Sequence, residues 1–534
     1  MTTKIMQAIL VLLLCIGFTE NSFGQTRNVT TGKRVSLSNF GEIIENKEII
    51  GYYTFYAYDK VDKKNNAYIL SILDANLNEI ASEKLTLPKT YYLLEGSYNK
   101  ENLLFAFYET KENKIALRRY SKKAKFLGQT FQELIKDEQL VLLSAIRKEE
   151  IMNTRIFGVP NLGFLHFSMK KSKKLGYEVD FISSDLKKNR NWTYRSSSVS
   201  KEIETASFLH YDSKNKLILL SAAKKPGRMS KKFETYIVGI DATTGRRKFE
   251  TKLEDNNYKI QVFNGYNNEV TGTSKLVGSY FTKDGKLNDN SLGFCTFSFD
   301  AQGKIVDKKF VSWAKDVAKL LPVNKKGKMD QMGYLYIHNV IPTVDGRTFV
   351  IAEGYKKAVS AGGTAASILG AAAAASGSGS SNISAFKMVV NEMVVFEMDK
   401  DSNLKTAKIF EKDNTNIALP AGAAYVGAVT LGHYIKAIGD FDYSFTQVSK
   451  DKEGFIIGYQ DYKRIKGEKN HWVFAAISNI DGEYSTDEID LRTENASLRV
   501  YPGKPGYIMI VEVGEYTKKT KTRSVSMRLE KVNY

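Results

Sequence analysis

The sequence is poor in the residues that staple or stiffen extracellular folds. It has only two cysteines and eight prolines among 534 residues, which excludes a disulfide framework and a proline-rich stalk. A chain of this length can bury a large core without such supports. It is rich instead in aromatic residues, with 30 tyrosines and 29 phenylalanines, and in basic residues, with 78 Lys and Arg against 59 Asp and Glu. This composition predicts a folded, basic protein rather than a disordered one.

Catalytic motifs are lacking as well. The sequence contains no His-Glu-x-x-His, no Gly-x-Ser-x-Gly, no phosphate-binding Gly-x4-Gly-Lys-Ser/Thr and no Cys-x-x-Cys. We therefore predict no catalytic residue, no metal and no cofactor, and we favour a protein that is not an enzyme. The one cysteine beyond the N-terminal segment, Cys295, lies in an apolar run and is expected to be a buried, inert thiol.

The first 24 residues have the pattern of a secretory signal peptide. Lys4 precedes an apolar run from Ile5 to Phe18, and Ser22 and Gly24 are the small residues before a cut at Gln25. A run of about 14 apolar residues is too short to cross a bilayer as a helix. The pattern predicts an exported protein, periplasmic or extracellular, with no transmembrane segment in the mature chain. This leader is similar to those of exported Bacteroidota proteins.

A repeated unit occupies the rest of the chain. Each copy has a first strand, a tight turn, a second strand that is apolar on both faces, a polar loop, a third strand, an Asp-containing turn and an outer strand. Successive Asp-type turns lie near residues 74, 121, 185, 241, 300, 399 and 481. The Asp side chain is expected to cap its own turn, with Gly or Asn in the left-handed position. Four-stranded meanders repeated at this spacing indicate a β-propeller.

We predict an all-β fold, a single propeller domain over residues 25–534 with eight, or alternatively seven, four-stranded blades. The last unit is truncated, and the N-terminal segment Arg34–Leu37 is expected to supply its missing outer strand and close the ring. The alternative is an outer-membrane barrel. Its strands would have to alternate between lipid-facing and water-facing residues, whereas second strands such as Leu217–Leu220 are continuously apolar.

The unit around Asp241 resembles the repeats of pyrroloquinoline-quinone-type propellers. The resemblance implies the fold only, because Phe249 stands where that family prefers Trp and no cofactor-binding set is present. The whole chain resembles a family of exported bacterial proteins of unknown function. His210 and His338 fall on first strands, which line the channel of a propeller, so a metal or acid–base site there stays open. A lone histidine in a strand more often packs and hydrogen-bonds.

Two segments depart from the repeat. Residues 358–384 form a low-complexity Ala/Gly/Ser insertion between the second and third strands of the sixth unit, and we expect a flexible excursion there. Phe310–Leu321 has apolar residues at helical spacing before Pro322, which predicts a packed linker helix.

The net charge of +19 is concentrated in the loops between second and third strands. These loops cover residues 59–66, 109–114, 170–174, 224–232, 283–289, 356–357, 461–469 and 515–523, and they hold 26 Lys and Arg against 9 Asp and Glu. In a propeller they emerge on one face, where a field of one sign concentrates anions. Charged loops can equally be no more than solvated.

We predict a binding or scaffolding module whose basic face contacts an anionic partner. An acidic protein or an anionic envelope polymer fits the predicted compartment, whereas nucleic acid does not, and a monomer is expected. The candidate anion-binding residues are Lys170, Lys171, Lys173, Lys174, Lys224, Lys225, Arg228, Lys231, Lys232, Lys463, Arg464, Lys466, Lys518 and Lys519. The alternative is a periplasmic hydrolase or lyase with its site at the mouth of the channel.

Overall fold

The structure is a computed structural model of the chain. It describes residues 25–32, 35, 39–45, 48–148, 156–169, 176–184, 190–196, 202–227, 230, 232–255, 257–268, 272–284, 291–324, 328–329, 332–359, 383–420, 426–449, 451–464, 467, 471–491 and 497–532. The segment predicted to be a signal peptide, residues 1–24, lies outside the described residues.

Across those ranges, 33 strands form eight separate antiparallel sheets, which we number as blades I to VIII. Strand β1 spans Thr26–Gly32. Blade I contains β2 (Phe40–Glu45), β3 (Glu48–Lys60), β4 (Asn65–Asp74) and β5 (Glu79–Pro88). Blade II contains β6 (Tyr91–Tyr98), β7 (Asn102–Glu109), β8 (Lys114–Ser121) and β9 (Phe126–Glu133). Blade III contains β10 (Ile156–Val159), β11 (Gly163–Met169), β12 (Tyr177–Ser183) and β13 (Trp192–Arg195). Blade IV contains β14 (Ile203–Asp212), β15 (Leu217–Lys225), β16 (Glu234–Asp241) and β17 (Arg247–Leu253).

The second half of the ring repeats this arrangement. Blade V contains β18 (Tyr258–Asn268), β19 (Thr273–Thr282), β20 (Gly293–Phe299) and β21 (Ile305–Ser312). Blade VI contains β22 (Tyr334–Pro342), β23 (Thr348–Val359), β24 (Ile383–Met398) and β25 (Leu404–Phe410), with β26 (Thr415–Pro420) paired to β24 as a fifth strand. Blade VII contains β27 (Tyr443–Val448), β28 (Phe455–Lys463), β29 (His471–Ile480) and β30 (Glu483–Asp490). Blade VIII contains β31 (Ser497–Pro502), β32 (Tyr507–Val513) and β33 (Thr522–Lys531), with β1 as its outer strand. The predicted eight-bladed propeller is confirmed.

The ring is closed by an N-terminal strand, as expected, but by a different segment. Strand β1 pairs antiparallel with β33, from Thr26 opposite Arg528 to Gly32 opposite Thr522. The prediction that Arg34–Leu37 forms this strand is wrong. An outermost strand is held by backbone pairing on one edge, so it does not need apolar residues. Val35, from the segment that was predicted to pair, is instead buried in the core between blades I and VIII.

The hydrophobic core lies between neighbouring blades. Strand β7, the second strand of blade II, is buried at every position, as expected for a second strand that is covered on both faces. The third strand of blade V, β20, is also buried throughout. Between blades I and II, the ring of Phe55 contacts those of Phe105 and Phe107, with centroids 4.8 and 5.4 Å apart. A blade therefore buries both of its faces only when it has a neighbour on each side.

Strand direction divides the connections between two ends of the ring. Turns between first and second strands and between third and fourth strands emerge at one end, which we call the turn face. Loops between second and third strands and the connections between blades emerge at the other end, which we call the loop face. This division follows from the antiparallel order of each sheet.

The Asp side chains cap their turns as predicted. Oδ1 of Asp74 accepts hydrogen bonds from the backbone N–H groups of Asn76 and Asn78, at 2.8 and 2.9 Å. Asp300 and Asp399 cap the corresponding turns of blades V and VI in the same way. These bonds satisfy backbone donors that would otherwise lack a partner in the turn.

The left-handed position of two turns differs from the prediction. It is occupied by Leu77 (φ 65°) and Ser402 (φ 62°) rather than by Asn78 and Asn403. Asn78 instead donates a hydrogen bond from its side chain to Asp74 at 2.9 Å. The side chain of Leu77 is only 3% exposed, and its burial between blades I and VIII offsets the cost of the left-handed backbone.

Five of the eight first strands contain a β-bulge. In blades II, IV, V, VI and VII, one extra residue interrupts the pairing of the first strand with the second; these residues are Leu94, Leu209, Phe263, His338 and Ser444. Leu94, Leu209 and Phe263 pack toward the next blade around the ring. These extra residues thus fill space between the first strands of neighbouring blades, and in blades IV, V and VI the residue after the bulge lines the channel.

Two α-helices that were not predicted occur in connections between blades. Helix α1 (Lys136–Lys148) joins blades II and III. Helix α2 (Ala428–Ile438) joins β26 to blade VII and ends at Gly439, whose φ of 80° allows its N–H to bond back to the last turn. None of the helices within the described part of the chain has the length and hydrophobicity that a bilayer crossing requires.

The predicted linker helix at Phe310–Leu321 is wrong. Its first residues complete β21, and a single turn of 3-10 helix at Val317–Lys319 follows. The side chain of Asp316 accepts a hydrogen bond from the backbone N–H of Ser312 at 2.8 Å, which favours a local turn over a continuous helix. Of the Ala/Gly/Ser insertion, residues 360–382 lie outside the described residues.

Candidate functional site

The residue after each bulge is polar in three adjacent blades. His210 follows the bulge of blade IV, Asn264 that of blade V and Asn339 that of blade VI. Nδ2 of Asn264 donates to Oδ1 of Asn339 at 3.0 Å, which links the two inner strands across the channel wall. A repeated backbone device therefore gathers neutral hydrogen-bonding groups from separate parts of the chain.

These residues line a cavity of about 600 Å³ that opens toward the turn face, which we call the channel cavity. Its volume is within the range of ligand pockets. The rest of its wall consists of aliphatic and aromatic residues, further hydroxyl and amide side chains, and one cation, Lys452. The remaining lining residues are Tyr211, Ser213, Gly265, Tyr266, Asn267, Val340, Ile341, Pro342, Thr343, Val344, Gly346, Thr348 and Val448. No Asp or Glu is among these described lining residues.

His210 is a neutral structural group of this wall. Its Nε2 lies 2.9 Å from Oδ1 of Asn267 and 3.1 Å from Oγ of Ser274. Burial lowers the pKa of His210 to about 4, against the opposing hydrogen bond to Asn267. A Cβ at Gly265 would lie 2.6 Å from Cδ2 of Leu276 and 3.1 Å from Nδ1 of His210, so a larger residue there would crowd both side chains.

A second polar group, the buried charge cluster, lies at the junction of blades VI and VII. It comprises His338, Glu353, Lys412, Lys436 and Asp442. Oε2 of Glu353 lies 3.0 Å from Nε2 of His338, and Oε1 lies 3.3 Å from Nζ of Lys412. Nζ of Lys412 also lies 2.5 Å from Oδ2 of Asp442, while Nζ of Lys436 lies 3.0 Å from Nδ1 of His338. The side chains of His338, Glu353 and Lys412 have no solvent exposure.

The contacts of His338 settle which of its nitrogens carries the proton. Lys436 donates to Nδ1, so Nδ1 is the acceptor and Nε2 carries the hydrogen that it donates to Glu353. Burial lowers the pKa of His338 well below its usual value, and the cations of Lys436 and Lys412 lower it further. The ring is therefore neutral and relays hydrogen bonding between a lysine and a carboxylate.

Burial also shifts the charged members of the cluster. It raises the pKa of Asp442 to about 7 and raises that of Glu353, although Lys412 opposes both shifts. Burial alone would lower the pKa of Lys412, but the two carboxylates raise it above its usual value. Lys412 is thus the fixed charge on which both carboxylates depend.

Helix α2 covers the loop-face side of this cluster. It supplies Lys436 and also His433, whose ring stacks on Phe263 with centroids 5.7 Å apart. Nε2 of His433 accepts a hydrogen bond from Gln261 at 3.1 Å, and burial lowers its pKa to about 4. The cluster is closed to solvent at its centre, so it holds blades VI and VII and α2 together rather than offering an open site.

Of the predicted anion-binding residues, seven lie outside the described residues: Lys170, Lys171, Lys173, Lys174, Arg228, Lys231 and Lys466. Two others have internal partners. Lys224 pairs with Glu250 and lies 3.6 Å from Glu204, and Lys463 pairs with Asp461 and Glu488 at 3.0 and 2.6 Å.

The other five predicted cations have no ion pair within the described part of the chain. Lys225 is half-buried at the end of β15, whereas Lys232, Arg464, Lys518 and Lys519 are exposed on loops of the loop face. Of the predicted residues that the structure describes, these four are therefore available to a partner on that face.

Apart from His338, the residues of the buried charge cluster were not predicted from the sequence. One signal was present, since Glu353 interrupts an otherwise apolar second strand. Its partners were not recognisable, because Lys412 and Asp442 come from connections between blades.

Among the described residues, no group of three or more His, Cys, Asp or Glu is arranged to hold a metal ion. The alternative of an active site at the channel mouth gains no support from a wall without carboxylates. The prediction that Cys295 is buried is confirmed.

Comparison with known proteins identifies the family of the chain. The model of a family of unknown function, DUF6770, matches residues 1–533, so the chain belongs to that family, in agreement with the resemblance noted in its sequence. No protein with a curated description matches the sequence.

Two solved structures illustrate what the chain is similar to. The WD40 domain of SCAP from fission yeast is 9% identical, over 94% of this chain and 98% of that chain, with a TM-score of 0.37. The quinohemoprotein alcohol dehydrogenase from Comamonas testosteroni is 10% identical, over 92% of this chain and 77% of that chain, with a TM-score of 0.39. Likeness at this level carries no inference about activity or ligands. The propeller fold, established by the sheets themselves, is consistent with a binding or scaffolding module.

Proposed function

We propose that this member of the DUF6770 family is an exported binding module that contacts an anionic partner through its loop face. The observation that carries the proposal is the charge of the eight loops, which hold 26 basic and 9 acidic residues in a chain of net charge +19. The secretory pattern of the first 24 residues supports export. The partner is therefore an acidic protein or an anionic envelope polymer, such as the phosphates of a lipopolysaccharide or an acidic glycan.

The described cations on this face differ in what they can offer a partner. Burial alone would lower the pKa of Lys224, but Glu250 and Glu204 raise it above its usual value, so its charge is already matched inside the protein. Lys232, Arg464, Lys518 and Lys519 are exposed and have no ion pair within the described ranges. Their summed field, rather than any single contact, would attract a polyanion, and salt would screen it.

The test reverses those four charges. The variant Lys232→Glu, Arg464→Glu, Lys518→Glu and Lys519→Glu is compared with a control in which Lys123, Lys214, Lys304 and Lys400 are each changed to Glu. The control lysines are exposed on the turn face, and no ion pair involves them in the part of the chain that the structure describes. Both variants change the net charge by the same amount.

We expect the loop-face variant to elute from a heparin column at clearly lower salt than the control, and to lose binding to vesicles that contain lipopolysaccharide. Equal retention of the two variants would show that net charge alone determines binding. That result, or retention of the wild type that does not weaken with salt, would refute the proposal.

A further inference from the structure

We propose that the channel cavity on the turn face binds a neutral saccharide, taking one end of the sugar chain into the opening of the propeller. This site is separate from the loop face and does not depend on an anionic partner. Its volume of about 600 Å³ and its wall of mixed polar and apolar residues are those of a small-ligand pocket.

The charge of the wall favours a neutral ligand. Among the lining residues that the structure describes, there is no carboxylate to pair with a cation and only one lysine, Lys452, to attract an anion. His210 is buried and neutral at physiological pH. The hydrogen-bonding side chains that remain are amides and hydroxyls, which match hydroxyl groups better than they match ions.

The amides are fixed before any ligand arrives. Oδ1 of Asn267 accepts hydrogen bonds from Nε2 of His210 and from Oγ of Ser274, at 2.9 and 3.2 Å. None of the described residues accepts a hydrogen bond from Nδ2 of Asn267, so this donor remains for a ligand in the cavity that Asn267 lines. Oδ1 of Asn264 accepts from the backbone N–H of Gly265 at 2.7 Å, and its Nδ2 donates to Asn339. Donors held in this way lose little freedom on binding.

The apolar part of the wall suits the other surface of a sugar. Pro342 and Val344 add aliphatic groups to the wall that holds the amides. A sugar ring offers hydroxyls at its edge and C–H groups on its faces, so it needs both kinds of contact in one pocket. The pair of carboxylates that most glycosidases use is missing among the described residues of this wall. The cavity is therefore assigned to binding rather than to cleavage.

The first experiment uses the full chain and saturation-transfer NMR with maltotriose, cellotriose, mannotriose and N-acetylated chitotriose as probes. We expect at least one of them to bind, with an affinity that does not change between low salt and 1 M salt. Binding of none of the four would overturn the proposal. Saturation transfer only to uncharged tripeptides would overturn the saccharide assignment.

Variants then locate the site. Asn267→Leu removes the free donor, and Val344→Trp obstructs the rim at a side chain that is 55% exposed, so its folding should be unaffected. The control is Val61→Trp on the loop face, where the valine is 54% exposed. We expect at least a tenfold loss of affinity in both cavity variants and none in the control. Unchanged affinity in Val344→Trp, or equal losses in Val344→Trp and Val61→Trp, would refute the location. The charge-reversed loop-face variant should bind the sugar normally, which separates this proposal from the proposed function.

Discussion

Replacing Lys412 by Met tests whether the buried charge cluster holds blades VI and VII together. Its Nζ lies 2.5 Å from Asp442 and 3.3 Å from Glu353, and neither Lys412 nor Glu353 has any side-chain exposure. Removing one partner of a buried pair costs about 3–5 kcal/mol, because the other charge stays buried without compensation. That is a large part of the roughly 5–15 kcal/mol by which proteins are stable. We expect Lys412→Met to lower the free energy of unfolding by this amount at pH 8.

The loss should be smaller at pH 5. Burial already raises the pKa of Asp442 to about 7, so without Lys412 the carboxyl group takes up a proton more readily and no longer needs a cation. The unfolded chain, in which Asp has its ordinary pKa, stays ionised at pH 5. Proton uptake therefore stabilises the folded variant as pH falls below 7.

The assay is urea unfolding followed by circular dichroism at pH 5 and pH 8. The control is Lys405→Met, also in blade VI, where Nζ lies 3.2 Å from Asp399 and the lysine side chain is 58% exposed. Exposed pairs contribute about 1 kcal/mol or less. If Lys412→Met and Lys405→Met lost equal stability, or if the loss in Lys412→Met did not depend on pH, the account of the cluster would be wrong.

Two further predictions concern stability. Burial lowers the pKa of His433 to about 4. Between pH 6.5 and pH 4 this histidine is therefore protonated in the unfolded chain but not in the folded protein. The free energy of unfolding of the wild type should therefore fall between pH 6.5 and pH 4, and in His433→Phe this fall should be smaller by about 3 kcal/mol. Urea unfolding at both pH values measures the difference. Gly303 and Gly482 both have positive φ, but a Cβ at Gly303 would lie 2.3 Å from the ring of Phe249, whereas one at Gly482 meets nothing within 4 Å. Gly482→Ala should cost about 1–2 kcal/mol and Gly303→Ala clearly more, compared by thermal unfolding. An unchanged pH profile in the first case, or equal costs in the second, would contradict these accounts.

The propeller was predictable because its determinants are local. A second strand such as Leu217–Leu220 is apolar on both faces only if blades cover both of its sides. An aspartate such as Asp300 makes its capping bonds within its own turn. Both features are visible in a few consecutive residues, and they recur often enough to count the blades.

The sites were less predictable because they depend on distant residues and on exact register. One extra residue in β22 decides that His338 faces blade VII while Asn339 faces the channel. Lys412 and Asp442 meet Glu353 from connections whose course the repeat does not specify. Lys224 was predicted to be available, but β14 and β17 place Glu204 and Glu250 beside it.

The pairing that closes the ring also determines how the ring would respond to force. The start of β1 and the end of β33 lie side by side, since Thr26 is opposite Arg528 and the carbonyl of Gln25 accepts a hydrogen bond from the N–H of Leu529 at 3.0 Å. Tension applied through these two ends would break the hydrogen bonds one after another, as in unzipping, rather than load them together in shear. The ring would open at this pair first, while each of the other seven blades, built from consecutive strands, kept its sheet.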